Sequence, residues 1–196
     1  MTLEKTIDVL GIGNAIIDVL ADADDAFLSQ HNLNKGSMTL VDEEASSNIY
    51  SSMKNKIQMS GGSAANTIYG LAQLGCRSAF IGKRSNDELG DIFYSDLTKS
   101  EIIFNTSPLD TGESSARCLI LVTSDAERTM ATFLGSSSKL KVEDINEDEI
   151  EAAKIIYLEG YLFDPPEAQE AFITAAKFAK KHNTKVSFTL SDAFCV

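Results

Sequence analysis

The chain has 196 residues, and its 43% hydrophobic content is typical of a globular protein with one sizeable core, or with a core that carries a smaller appendage. Its 29 acidic and 17 basic residues give a net charge of −12, and no basic patch interrupts this excess. The charge balance disfavours partners with a polyanionic surface, so we expect neither nucleic acid nor an anionic membrane to bind.

Cysteine usage and the N-terminus indicate a reducing compartment. Cys76, Cys118 and Cys195 are odd in number and lack CxxC spacing, so the sequence predicts neither a disulfide framework nor a zinc site. Asp8 and Asp18 interrupt the first apolar stretch, which also lacks the basic start of a signal peptide. We therefore expect a cytoplasmic protein without a membrane segment.

Strand-like and helix-like runs alternate in the first hundred residues. The apolar run from Thr6 to Gly13 predicts a buried parallel strand, and AIIDVLA continues in extended form. Asp42 is a plausible N-cap for a following helix, and a second helix is expected from about Ser63 to Leu74. The stretches in chain order are the helix DDAFLSQHNL, the strand SMTLV, the helix DEEASSNIYSSM, the helix after MSGG, the strand CRSAFIG, the helix DELGDIFYSDLTKS and the strand IIFNT.

The pattern changes after Thr111 and then returns. ARCLILVT and RTMATFLG are separated only by a short polar turn, which predicts a hairpin. After Val142 a short acidic helix, the strand KIIYLEG, a helix entered through DPPEAQ and the strand KVSFTL follow. This order predicts a mostly parallel α/β sheet with a small second sheet built from the β-rich insertions.

The motif GIGNAI, after the first predicted strand, allows three interpretations. Ile16 occupies the third position of a GxGxxG fingerprint and an extended segment follows, which disfavours a dinucleotide site. The glycines could also serve only a tight strand exit. Alternatively, Asn14 and Asp18 place an amide and a carboxylate at the strand exit, and a carboxylate suits the vicinal hydroxyls of a sugar.

The stretch MSGGSAANTIYGLAQLG places two glycines before a predicted helix. Gly61 and Gly62 would let a ligand approach the backbone, where the helix N-terminus offers unpaired N–H groups. The stretch has no P-loop pattern and no lysine or arginine, so it fits a neutral polyol held by these N–H groups and by Asn66 better than a nucleotide phosphate. A plain strand-to-helix turn, with Asn66 merely solvated, remains the alternative.

Together, GIGNAIIDVLA, SGGSAANTIYGLAQLG and FIGKRSNDELGD resemble the N-terminal half of the ribokinase-like (PfkB-type) sugar and nucleoside kinases. ARCLILVTSDAERTMATFLGSS and YLEGYLFDPP are more similar to the adenosine-kinase-like branch. The resemblance implies a doubly wound, mostly parallel sheet with a small β-sheet lid. It divides the chain into an α/β core of residues 1–13, 41–101 and 140–196, and a β-rich lid of residues 14–40 and 102–139.

The resemblance also implies roles for individual residues. Asn14 and Asp18 would contact the acceptor sugar, and Arg128 would be a lid arginine near the transferred phosphate. The acceptor-facing turn and helix, and two candidate stacking rings, are implied at Gly61, Gly62, Ser63, Asn66, Phe133 and Tyr161. Arg128 could equally be a surface hairpin residue, and either ring could belong to the core.

The family's second half supplies an NxxE segment linked to Mg²⁺ and a GAGD-type motif with the catalytic base, and we identify neither in this sequence. The resemblance therefore implies the acceptor-binding half of a kinase that uses ATP and Mg²⁺ when complete. This half is expected to be inactive alone and to bind neither cofactor tightly. The alternatives are a sugar- or nucleoside-binding protein without catalysis and an NAD-dependent oxidoreductase. A homodimer formed through the lid is a further expectation.

Overall fold

The computed structural model describes residues 5–110, 112–192 and 195, whose strands form two sheets. A four-stranded sheet contains β1 (Ile7–Ile12), β5 (Ser78–Ile81), β8 (Ala153–Glu159) and β9 (Lys185–Thr189). The five-stranded sheet, called the lid sheet below, contains β2 (Ile16–Asp22), β3 (Met38–Leu40), β4 (Ile57–Gly61), β6 (Ala116–Val122) and β7 (Arg128–Phe133). The helices are α1 (Asp25–Gln30), α2 (Glu43–Ser52), α3 (Ser63–Gln73), α4 (Glu88–Lys99), α5 (Glu147–Ala152) and α6 (Pro166–Lys181).

The four-stranded sheet is parallel, in the order β5–β1–β8–β9, and helices cover both of its faces. Ile68 of α3 and Phe80 of β5 belong to the core on one face, which continues into the lid sheet. Leu10 of β1 and Phe172 of α6 belong to a second core on the opposite face. Burial on both faces explains why these strands are almost continuously apolar.

The lid sheet is mixed, in the order β3–β7–β6–β2–β4. β6 and β7 form the expected antiparallel hairpin, while β2 lies parallel to β6 and antiparallel to β4. Side chains alternate along β2, so Ile17 and Val19 are buried against the helices while Asp18 faces the other way. One face of the lid sheet is therefore core, and the other faces a cavity.

Local signals in the sequence define several element boundaries. The Asp42 side chain caps α2 by accepting a hydrogen bond from the Ala45 N–H at 2.8 Å. Gly75, with a φ of 88°, follows the last turn of α3, as expected for a glycine stop signal. The predicted α/β class, with a parallel sheet and a small second sheet, is confirmed.

The predicted division of the chain differs from the structure at β4. Residues 41–101 were assigned to the core, but β4 lies within them and pairs with β2 along the edge of the lid sheet. The partner of such a short strand is set by long-range pairing, which the local pattern does not contain. At the other boundary, Ile103 bridges to Ala79 beside the parallel sheet, although it falls within the predicted lid. No helix in the described part of the chain is long and apolar enough to cross a membrane.

Candidate functional site

A cavity of about 350 Å³ lies between the lid sheet and the carboxyl end of β8. In sheets of this type, ligands bind beyond the carboxyl ends of the strands. The cavity brings together five of the residues that the sequence proposed, namely Asn14, Asp18, Gly62, Ser63 and Tyr161.

Glu159, the last residue of β8, organises one end of the cavity. It is 1% exposed, and one of its oxygens accepts from the side chain and the backbone N–H of Asn14, at 2.7 and 3.2 Å. Its other oxygen accepts from the Ala64 N–H at 2.7 Å and from the Ser63 hydroxyl at 3.1 Å. A Cβ at Gly13 would lie 2.7 Å from this second oxygen, so only glycine leaves the carboxylate its place. Glu159 therefore ties the β1–β2 turn to the start of α3.

Asp18 lies in the same cavity, but unlike Glu159 it accepts no hydrogen bonds from the described residues. Burial raises the pKa of Asp18 from its ordinary value of 3.8 to about 6, and the positive charge of Arg128 opposes this shift only in part. No residue in the described part of the chain donates a hydrogen bond to the Asp18 carboxylate. Its acceptor sites are available to donors from a ligand.

The two adjacent glycines make room for the protein's own groups. A Cβ at Gly61 would overlap the carboxyl group of Asp18, so glycine leaves room for this carboxyl group beside β4. Gly62 has a φ of 93°, and a Cβ there would lie 2.7 Å from the Asn14 carbonyl oxygen. Glycine is thus required at both positions to bring three parts of the site into contact, a different reason from the predicted approach of a ligand.

The start of α3 is less open than the sequence suggested. The Ala64 N–H is already bonded to Glu159, while Ser63 lines the cavity. Asn66 does not line the cavity; it is exposed and borders a separate surface hollow together with Ser60 and Asp96. The structure therefore does not bring Asn66 together with the other predicted residues.

Of the two aromatic candidates, only Tyr161 lines the cavity. Tyr161 lines the cavity, and burial together with the charge of Asp192 raises the pKa of its hydroxyl, which stays protonated at neutral pH. Phe133 is 8% exposed and does not line the cavity, because it faces the core side of the lid sheet. Its ring lies 5.7 Å from the guanidinium carbon of Arg117, so Phe133 is a packing residue.

Arg128 begins β7 and is exposed. Because Met130 and Thr132 line the cavity, the alternation along the strand places Arg128 on the cavity side as well. Its charge reaches Asp18, although its side chain does not line the cavity. This position is compatible with the predicted role near a transferred phosphate.

The sequence interpretation missed most of the apolar lining. Met38 and Leu40 of β3, Met130 of β7 and Leu162 after β8 form walls of the cavity, and Cys118 lies beside Asp18 in the strand register. Period-two alternation in the lid strands was the available signal, but it identifies a face only once one residue of that face is known.

The letters of the NxxE motif do occur once, at Asn146–Glu149, which corrects the sequence interpretation. Asn146 caps α5 by accepting from the backbone N–H groups of Asp148 and Glu149, at 3.0 and 3.4 Å. α5 precedes the amino end of β8, whereas the cavity lies beyond its carboxyl end, so these residues serve the helix. Among the residues that the structure describes, no group of three or more His, Cys, Asp or Glu side chains could hold a metal ion.

The dinucleotide interpretation of GIGNAI is wrong. Strand β2 follows β1 after a short turn, where the dinucleotide fingerprint requires a helix that begins within the motif.

Comparison with known proteins agrees with this architecture. The model of the pfkB family carbohydrate kinases matches residues 41–194. Guanosine-inosine kinase of Escherichia coli K12 is 30% identical over 198 residues, which cover 96% of this chain and 46% of the relative. The chain thus spans about half the length of the curated guanosine-inosine kinases that it matches.

Solved structures give the same result. Adenosine kinase from Sinorhizobium meliloti is 45% identical, with a TM-score of 0.87 over 97% of this chain and 58% of that protein. A probable sugar kinase from Rhizobium etli is 42% identical, with a TM-score of 0.89 over 98% of this chain and 58% of that protein. The family match over most of the chain, and the parallel sheet with its lid, show that this chain belongs to the pfkB family of carbohydrate kinases.

Proposed function

We propose that these residues form the acceptor-binding part of an ATP-dependent kinase that phosphorylates a hydroxymethyl group of a nucleoside, with an adenosine-like acceptor favoured over a simple sugar. The observation that carries this proposal is the pairing, in one cavity, of an apolar wall with the partly buried carboxylate of Asp18, which accepts no hydrogen bond from the described residues. Asp18 suits the hydroxyls of a ribose, and the apolar wall suits a base.

Asn14, Asp18 and Ser63 are proposed to hold the ribose. The Asn14 amide N–H₂ is engaged by Glu159, which leaves its carbonyl oxygen as an acceptor. At pH 7 and above, Asp18 is mostly ionised and accepts hydrogen bonds from vicinal hydroxyls. The adenosine kinase and the guanosine-inosine kinase to which the chain is similar support a nucleoside acceptor.

Arg128 is proposed to lie near the phosphoryl group, where a cation stabilises the developing charge. The described residues offer no suitable site for Mg²⁺ or for the phosphates of ATP. They contain no group suited to a metal ion, and the residues that line the cavity include no lysine or arginine. We therefore propose that the family's ATP and Mg²⁺ are not bound tightly by these 196 residues.

Turnover by the chain alone is not expected, because its sequence holds no GAGD-type motif to supply the base and the anion hole. General base catalysis is worth about 10²–10⁴-fold and one anion-hole donor about 10²–10³-fold. The test incubates the purified chain with ATP, Mg²⁺ and adenosine and measures AMP by chromatography. No product is expected, and clear turnover would refute this part of the proposal.

Calorimetric titration with adenosine and with ribose tests the binding site itself. Adenosine is expected to bind the wild-type chain and to bind Asp18→Ala much more weakly, whereas Asp22→Ala, at the exposed end of the same strand, should bind as the wild type does. Equal binding to all three would exclude Asp18 as the ribose contact. Affinity without any dependence on ATP would favour the second candidate, a binding protein without catalysis.

A homodimer through the lid is a further proposal. Ile57 and Met59 of the edge strand β4 are 60% and 43% exposed, and they project on the same face as Asp18. The Ser60 N–H on this edge is occupied by Asp96 at 2.8 Å, which opposes strand-to-strand pairing and favours face-to-face contact. Light scattering after size exclusion should give a dimer for the wild type and a monomer for Ile57→Glu.

The three cysteines that the structure describes are free, which supports the proposal of a reducing, cytoplasmic location. Fractionation of cells that produce the full-length protein would test it.

A further inference from the structure

The two ends of the cavity differ in how firmly their side chains are held. At the Glu159 end, four hydrogen bonds fix Asn14, Ser63 and Ala64 around a buried carboxylate. At the lid end, Met38 of β3 lies opposite Met130 of β7. Leu40 is two residues further along β3 and projects on the same face of the sheet. Methionine is unbranched and polarizable, and it adapts its shape to different partners.

The hydroxyl groups of Thr132 and Ser138 already donate their protons within the protein, so neither is left unpaired by a ligand. The Thr132 hydroxyl donates to the Cys118 sulfur at 3.4 Å, and the Ser138 hydroxyl donates to the Gly135 carbonyl at 2.8 Å. Asp164 and Asp192 also line the cavity, but both are exposed, and water competes there with any hydrogen bond to a ligand. Among the described residues that line the cavity, only Asn14 carries an amide, and none carries a guanidinium.

The spacing of the strands separates these two ends by a suitable distance. β7 is the second neighbour of β2 in the lid sheet, and adjacent strands lie about 4.8 Å apart. Thr132 is the residue of β7 in register with Asp18, and Met130 lies two residues further along the strand, so Met130 is roughly 12 Å from Asp18. A nucleoside whose ribose is held at Asp18 can reach the methionine pair with its base.

We propose that the Met38–Met130 wall makes this site tolerant of the base, so that adenosine, inosine and guanosine bind with similar affinity and selectivity comes from the ribose end. The inference rests on the proposed nucleoside site and specifies its selectivity. A site discriminates strongly when a buried polar group is left unpaired by the wrong ligand, and the lid wall provides no such group for the base edge.

Calorimetric titration of the purified chain with four ligands tests the proposal. The three nucleosides are expected to bind within about fivefold of one another, and ribose about 30-fold more weakly because it leaves the wall exposed. One nucleoside binding about 30-fold more tightly than the others, or ribose binding as well as the nucleosides, would overturn the inference while leaving the site intact. Failure of all four ligands to bind would overturn the proposed function, and the inference with it.

A pair of matched variants isolates the wall. Met130→Leu replaces a flexible side chain by a branched one of similar size, and it should widen the spread among the three nucleosides to about tenfold or more. Met59→Leu changes a methionine on the same face of the same sheet that does not line the cavity, and it should keep the wild-type spread. An unchanged spread in Met130→Leu, with normal binding, would show that the methionine is not responsible.

Discussion

Replacing Asp18 by asparagine should stabilise the fold, and the gain should depend on pH. The folded state raises the pKa of Asp18 from 3.8 to about 6, so the folded chain binds this proton more tightly than the unfolded chain does. Stability is therefore lost as the pH rises from about 4 through 6, where the partly buried carboxyl group of Asp18 ionises. Asparagine has nearly the same shape and never ionises.

The magnitude follows from the size of the shift. At about 1.4 kcal/mol per pH unit, ionisation lowers the free energy of unfolding by about 3 kcal/mol, and water that reaches the cavity screens part of this, leaving about 2 kcal/mol. For a chain of 196 residues, this corresponds to a difference in Tm of roughly 4–8 °C between Asp18→Asn and the wild type above pH 7. Near pH 4 the pH-dependent part of the difference should vanish.

Differential scanning calorimetry from pH 4 to pH 8 measures this difference. Asp22→Asn is the matched control, since this residue lies on the same strand but is exposed, and its Tm should stay close to that of the wild type. A Tm difference for Asp18→Asn that stays constant, or shrinks as the pH rises, would refute the account of Asp18 as a desolvated carboxylate. The same ionisation should make nucleoside affinity fall below pH 6, because a protonated Asp18 accepts fewer hydrogen bonds from hydroxyls.

Three further substitutions test the surroundings of the site. Glu159→Gln places an N–H₂ group among donors and should lower the free energy of unfolding by about 2–4 kcal/mol in urea titrations, whereas Glu167→Gln, on the first turn of α6, should change it little. Gly61→Ala forces a methyl group against the Asp18 carboxyl, so it should lower the free energy of unfolding by about 1–3 kcal/mol and weaken ligand binding. Gly70→Ala places its methyl group in open space on α3 and should raise the free energy of unfolding by about 0.5–1 kcal/mol. Asp42→Ala removes the N-cap of α2 and should lower stability by about 1 kcal/mol without a change in affinity. Unfolding curves that coincide with the wild type for Glu159→Gln or Gly61→Ala would contradict the contacts described for them.

Local chemistry made much of the fold predictable. Apolar runs, the Asp42 cap and the Gly75 stop indicated most of the elements, because each signal depends on neighbours within a few residues. The predicted strand IIFNT is an exception, since it forms only an isolated bridge at Ile103. Asn14 and Asp18 were predictable as polar residues at a strand exit inside apolar sequence. The pairing of β4 with β2 was not, since it depends on residues some forty positions apart that only the folded chain brings together.

Glu159 could not be identified in the same way. Its partners Asn14 and Ala64 are 145 and 95 residues distant along the chain, so no local pattern reveals that its carboxylate has donors. An acidic residue that closes a buried strand was the only hint available. Phe133 shows the complementary limit: the sequence predicts alternation in β7, but only the position of Thr132 in the cavity determines that its neighbour faces the core.

The cavity contains two carboxylates, Glu159 and Asp18, that differ in their hydrogen-bond partners and in the roles proposed for them. Four donors from the protein surround Glu159, so its charge is compensated within the folded chain. The Asp18 carboxylate receives no hydrogen bond from the described residues, and its raised pKa reflects that desolvation. A desolvated carboxylate without donors lowers the stability of the folded chain. Hydroxyl groups of a bound polyol can supply the missing hydrogen bonds, so this arrangement favours polyol binding. The difference in hydrogen bonding therefore supports the proposal that Asp18 binds the ligand while Glu159 positions the site.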